Sequence, residues 1–287
     1  MSEMYERRLD WPTLTEGGYR FCLGLGKKMV IADNLGVVVD ATFALKAGEL
    51  DQLHAWLGIF CYSLQIYFDF SGYSDMAIGL GLLLGFHFPE NFRQPYLSEN
   101  ITEFWRRWHM TLSRWFRDYL YIPLGGNRHG YIRTFFNLWI VFFLCGLWHG
   151  AGLTFIVWGL YHGLLLIIER AAHGLWQWRP SGLPGIAASV VLVTIGWVFF
   201  RYLGAMFLLE PHSAAISSET IKLTPDIFFY LTLGSFFAFV PLDRLAALRW
   251  DRIGVLASQL TLSIVSFAYS AILLAANSFN PFIYFRF

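Results

Sequence analysis

Charge is scarce in this sequence. Of 287 residues, 14% are Asp, Glu, Lys or Arg and 56% are hydrophobic, whereas a soluble domain carries about 25% charged residues. Such a chain has too little polar surface to cover its apolar surface in water, which points to an integral membrane protein. The net charge is +1, so no bulk charge draws it to nucleic acid. Cysteine is scarce as well. Cys22, Cys61 and Cys145 stand far apart and form no CxxC pair, which leaves no basis for a zinc site or a disulfide framework. The motifs GxSxG, HExxH, GxxxxGK[ST] and a helix-opening GxGxxG are absent. A serine hydrolase, a zinc protease and a nucleotide enzyme therefore find no support. Internal repeats, low-complexity tracts and a linker that would divide the chain are not evident either. The mixed-charge start, MSEMYERRLDWP, does not read as a signal peptide, because no apolar stretch follows a basic one.

Long apolar runs are what the chain does have. A bilayer core takes about 20 mainly apolar residues per helix. Runs of that kind lie at 54–70, 134–150, 152–169, 185–203, 226–241 and 254–276, with a shorter one at 74–88. Aromatic residues make up 19% of the chain, and Trp and Tyr often fall near run ends, where membrane interfaces favour them. The segment 19–44 is apolar but contains Lys27, Lys28, Asp33 and Asp40, so it is expected to be tilted, interfacial or broken. Only DFSGYSD separates 54–70 from 74–88. That is too short for an ordinary loop, and the expectation is a discontinuous helix lining a polar cavity, since unpaired backbone in lipid is costly. Gly81 and Gly85 give a GxxxG spacing suited to close helix packing. The fold class expected is all-α: a polytopic bundle with broken and interfacial amphipathic helices.

Residues 100–121, NITEFWRRWHMTLSRWFRDYLY, differ in kind. Trp105, Trp108, His109, Leu112, Trp115, Phe116 and Tyr119 recur at helical spacing, and Arg106, Arg107, Ser113, Arg114 and Arg117 fill much of the remainder. The pattern predicts one amphipathic interfacial helix. Asn100 is its expected N-cap, with Glu103 at the third helical position, and Pro123 with GGN at 125–127 its stop. Charge bias orients the spans. The Arg-rich stretches 100–133 and 242–253 are expected on the cytoplasmic side, and 204–225, with Glu210 and Glu219 against Lys222, outside.

One histidine, His149, sits inside an apolar run, FFLCGLWHGAGLTF. Two readings stand side by side. It packs and hydrogen-bonds a neighbouring helix, or it is functional, as intramembrane ionisable groups usually are. Burial disfavours a charged imidazolium, and a neutral ring can take the proton of an alcohol. Gly146, Gly150 and Gly152 around it allow close approach of backbone or substrate, or simply helix packing and a hairpin turn. Cys145 lies one turn earlier, where a Cys–His nucleophile pair would fall, but a free cysteine in an apolar run is commonly just a small hydrophobe. His109 is a second candidate; His162 and His87 read as structural. Asp69 and Asp75 bracket the DFSGYSD break, and their six-residue offset puts them on different helix faces. They are expected to line a cavity or satisfy backbone groups. The Arg106–Arg117 cluster suits either a phosphorylated donor or anionic lipid. No metal-ligand cluster is expected.

Three blocks carry a resemblance: YFDFSGYSDMAIGLGLLLGFHFPENF, NITEFWRRWHMTLSRWFRDYLYIPLGGNR and LWIVFFLCGLWHGAGLTFIVWGLYHG, with GLGKKMVIAD before them and NPFIYFRF at the end. In order and spacing they resemble the membrane-bound O-acyltransferase family. The likeness is strongest to its bacterial alginate O-acetyltransferase branch, whose cousins move D-alanine onto teichoic acid. The resemblance implies that His149, in LWHG, is the catalytic histidine and His109, in WRRWH, the second recurring one. It makes Trp148, Asp69, Ser71 and Asp75 candidates for the substrate path, and Arg106, Arg107 and Arg114 candidates for the donor's phosphates. It implies a donor substrate, acetyl coenzyme A or an acyl-carrier thioester, with no tightly held cofactor. It also implies an extracytoplasmic acyltransferase partner, a polysaccharide synthesis and export complex, and a bacterial cytoplasmic membrane location. Members of the family are usually longer at the N-terminus, so residues 1–287 are expected to form one membrane domain short of the family's first spans. Two rivals from other classes remain: a transporter with its midplane site at DFSGYSD, and a non-catalytic scaffold of a polysaccharide synthase.

Overall fold

The computed structural model describes residues 9–45, 51–206, 224–241 and 252–276. These residues are helical, without strands. In chain order the helices are α1 (Trp11–Gly26), α2 (Asp33–Phe43), α3 (Gln52–Leu83), α4 (Ile101–Arg107), α5 (Met110–Phe116), α6 (Gly130–His149), α7 (Leu153–Trp176), α8 (Gly182–Met206), α9 (Pro225–Phe239) and α10 (Arg252–Ala276). Within them, α6, α7, α8 up to Phe200 and α10 from Gly254 are long and apolar enough to cross a membrane. The described helices fall into two compact units. One holds α1–α3, α9 and α10, and the other holds α4–α8.

In the first unit, Asp10 caps α1 by accepting from the Thr13 N–H at 2.9 Å, and Asp51 caps α3 by accepting from the His54 N–H at 2.9 Å. The segment 19–44 does not break. A π-helical stretch, Lys27–Ala32, joins α1 to α2. The expected interruption at DFSGYSD is absent: α3 runs through it for 32 residues. The two carboxylates there do not break the helix because cations of the preceding helical segment pair with them. The Lys28 Nζ lies 2.6 Å from Asp69 and 2.6 Å from Asp33, and Asp75 binds Lys27 and Arg20, each at 2.6 Å. Glycine lets these helices approach closely, for a Cβ on Gly24 would stand 2.5 Å from the Gly72 carbonyl oxygen. The expected Gly81–Gly85 packing pair works differently. Gly81 faces Phe88, and Gly85 takes a φ of +80° just past the helix end.

In the second unit, the single helix expected over 100–121 is in three pieces. Asn100 caps α4 as expected, its Oδ1 accepting from the Glu103 N–H at 2.8 Å. The Glu103 carboxylate accepts in return from the Glu99 N–H at 2.8 Å. The helix stops at Trp108, which is extended, and His109 is left-handed at φ +43°, ψ +54°. Histidine is among the residues that tolerate this region, and the kink turns the chain into α5 and a π-helical Arg117–Tyr121. The first piece is core, with Ile101, Phe104 and Trp108 buried. The amphipathic pattern belongs to the other two, where Trp115 and Tyr119 are exposed beside Arg114 and Arg117. The expected stop is real: Gly125 and Gly126 have positive φ. The buried Asn137 of α6 donates to the Gly126 and Leu124 carbonyls at 2.9 and 3.2 Å. The expected outward loop and most of the 242–253 Arg-rich loop lie outside the described residues.

Candidate active site

The apolar run expected at 134–150 lies almost wholly in α6, and Gly150 to Gly152 make the turn that ends it. His149 is therefore the last residue of α6, at the tip of the α6–α7 hairpin. Its half-buried ring sits in an aromatic box. Ring centroids lie 4.8 Å from Trp148, 5.1 Å from Trp158, 5.4 Å from Phe200 and 6.3 Å from Phe155. Both the Trp158 and Phe200 rings stand nearly perpendicular to it. The hairpin closes on glycine: a Cβ on Gly146 would strike the Phe155 carbonyl, and one on Gly159 the Phe142 carbonyl. Gly146 thus serves helix packing rather than substrate access.

His109 comes to the same place from another element. Its ring lies 6.2 Å from that of Trp148, which is half exposed and neighbours both histidines. The left-handed turn is what swings His109 there. Burial, and to a lesser extent the neighbouring His149 ring, hold the His109 imidazole below its ordinary value, at about 3. His109 is therefore neutral across the physiological range. His149, His109 and Trp148, all chosen from the sequence, thus form one cluster.

The other candidates divide. Asp69, Ser71 and Asp75 belong to the first unit. The two carboxylates are engaged by Lys28, Lys27 and Arg20, while the buried Ser71 hydroxyl has no hydrogen-bond partner among the described residues. Arg107 is held by Glu103 and Arg114 donates to the Met110 carbonyl at 3.2 Å. Arg106 alone of the three donor candidates lines a cavity of about 670 Å³ in the second unit. That cavity is walled by α4, α5, α6 and α7 and reaches Cys145, one helical turn short of His149. No cluster of metal-ligating side chains occurs among the described residues.

The structural reading of His162 fits its surroundings, while the grouping of arginines at the cavity was not visible in the sequence. His162 is fully buried, with neither ring nitrogen hydrogen-bonded, among Trp105, Trp158 and Tyr161 at 5.1–5.4 Å. It bridges α4 and α7 by ring packing, and only an assembled core reveals that. Arg170 and Arg179 join Arg106 at the cavity, although 64 and 73 residues separate them from it in the chain.

The profile of the MBOAT, or membrane-bound O-acyltransferase, family matches residues 11–210. The chain is 44% identical to a "Probable alginate O-acetylase AlgI" of Pseudomonas putida, over 95% of this chain and 61% of that protein. It is 47% identical to a peptidoglycan O-acetyltransferase of Helicobacter pylori, over 67% of this chain and 37% of the relative. Against a teichoic acid D-alanyltransferase of Bacillus subtilis it is 38% identical, over 66% and 50% respectively. The chain thus spans about three fifths of the length of the first of these relatives. With the profile matching well over half of its residues, the chain belongs to the membrane-bound O-acyltransferase family.

Proposed function

We propose that the protein is an O-acetyltransferase of the bacterial cytoplasmic membrane. It moves an acetyl group from a cytoplasmic thioester, acetyl coenzyme A or an acyl-carrier thioester, to hydroxyls of an exported polysaccharide of the alginate kind. His149 is the general base. The acceptor oxygen attacks the thioester carbonyl, its proton passes to the uncharged His149 imidazole, the carbon–sulfur bond breaks, and the proton leaves on the thiol. His109, neutral and one indole away, orients the donor, and Trp148 lines the path. An extracytoplasmic acyltransferase and a polysaccharide export complex are the partners in this reading. The observation that carries it is the pairing, at one hairpin tip, of two histidines from different elements with a cavity ending one turn below. The names of the relatives support acyl transfer to a cell-envelope polymer.

Membranes holding the chain, incubated with a thioester labelled in its acetyl group and an alginate acceptor, should yield labelled polymer. A parallel D-alanyl thioester tests the second acyl group that the Bacillus relative's name suggests. Label that crosses vesicles as intact thioester, with none on polymer, would sink the reading in favour of transport.

A further inference from the structure

His149 ends α6, and Gly150, Ala151 and Gly152 follow it. A helix end flanked by small residues does little to aim a side chain. The χ2 torsion of histidine is broad and roughly two-fold, so the plane of the imidazole is set by what it packs against. Trp158 forms one wall of its box from within α7 and is 1% exposed. Three further rings hold the indole. Trp197 stacks on it at 6.1 Å with 18° between the planes, His162 meets it at 5.3 Å and 68°, and Trp105 at 5.7 Å and 68°. Glycine gives this clamp its room, for a Cβ on Gly196 would stand 2.5 Å from the His162 Nε2. The Nε1 atoms of Trp105 and Trp158 and both His162 nitrogens have no hydrogen-bond partner among the described residues. The clamp therefore works by ring shape and not by an N–H anchor.

Against His149 the held indole stands at 5.1 Å and 87°, the perpendicular arrangement in which a ring edge meets a ring face. Phe200 lies 5.4 Å from His149 and 5.2 Å from Trp158, perpendicular to the first and steeply inclined to the second. A side chain locked by its own neighbours can lock another in turn. We propose that Trp158 is the positioning residue for His149: clamped by Trp197, His162 and Trp105, it fixes the plane of the imidazole and the direction in which its nitrogens meet the acceptor hydroxyl. Trp158 acts through His149 and exchanges no proton itself. Only the effect on rate rests on the acyltransferase reading; the effect on the ring does not. A misplacement of about 1 Å at a reacting group costs on the order of 100-fold in rate, so a loosened ring should be visible in turnover.

Two readouts test it, one of them free of turnover. The full chain in lipid vesicles, with nitrogen-15 in its histidine rings, is studied by solid-state magnetic resonance, and the His149 signals are those lost in His149→Gln. Trp158→Phe keeps a ring without the N–H and should keep one sharp set of signals. Trp158→Leu should broaden them as the ring gains freedom, and His162→Ala, which removes one jaw of the clamp, should do so to a smaller extent. In transfer assays Trp158→Leu should lower kcat about ten-fold or more, with KM for the thioester held within about two-fold, and Trp158→Phe should recover most of the rate. Leu35→Ala, in the core of the first unit, lowers melting without touching the box and should leave both the signals and the rate per folded molecule unchanged. The proposal is overturned if the His149 signals of folded Trp158→Leu match those of the unaltered chain, or if the unaltered chain transfers and folded Trp158→Leu does so with the same kcat. Expected ring signals with no transfer by any of these proteins would support the positioning of His149 and fail the acyltransferase reading alone.

Discussion

The two units handle polar groups inside an apolar chain in opposite ways. In the first, polar side chains cancel one another: Lys28 and Asp69, each at most 3% exposed, are paired, and Asp75 is shared by Lys27 and Arg20. In the second, the buried polar side chains among the described residues are neutral ones and the imidazole of His162, while four arginines and three glutamates line one cavity. A buried ion pair holds helices in register but leaves no group free to exchange a proton. A neutral imidazole in an aromatic box, the state proposed for His149, avoids the cost of burying a charge. Under the proposed function, the first unit is structural and the second carries the chemistry.

Breaking the ion pairs should give the largest loss of stability. Asp69→Asn leaves the Lys28 ammonium buried with Asp33 as its remaining carboxylate, and should destabilise by about 3 kcal/mol, the lower part of the range for halving a buried pair. Replacing Lys28 by Met and Asp69 by Leu together should recover most of that, measured by thermal melting in detergent. Next is the hairpin of the second unit. Gly159→Val forces a side chain against the Phe142 carbonyl and should cost about 1–3 kcal/mol by overpacking, read the same way, and lower transfer by displacing Trp158. The smallest effect is on pH dependence. Because His109 is uncharged at any pH above about 4, His109→Gln should lower transfer by one factor throughout pH 5–8. A change in the shape of the pH–rate profile would show that His109 titrates in that range.

What could be read from the sequence depended on whether the deciding contacts were local. Apolar runs of 15–25 residues marked α6 to α10, and Asn100 with Glu103 marked the start of α4, because length and capping are properties of neighbouring residues. The DFSGYSD stretch misled for the opposite reason. Asp69 and Asp75 look like helix breakers until Lys27 and Lys28, more than 40 residues upstream, neutralise them. The kink at His109 carries neither Gly nor Pro to announce it. The ring spacing across it imitates one continuous helix, while Trp108 in fact turns into the core against Trp197 and Phe92. His149 and His109 were legible as individual residues. Their convergence on Trp148, and the meeting of Arg106 with Arg170 and Arg179, needed the packed helices.

The central claim is that the proton of the reaction passes through His149. The most direct check is the transfer rate per folded molecule, with thermal melting recorded on the same samples, for His149→Gln beside Asp69→Asn. The account predicts a fall of about 100-fold or more for His149→Gln with its melting unchanged, and an unaltered rate per folded molecule for Asp69→Asn with its melting lowered. Full-rate transfer by folded His149→Gln would contradict it.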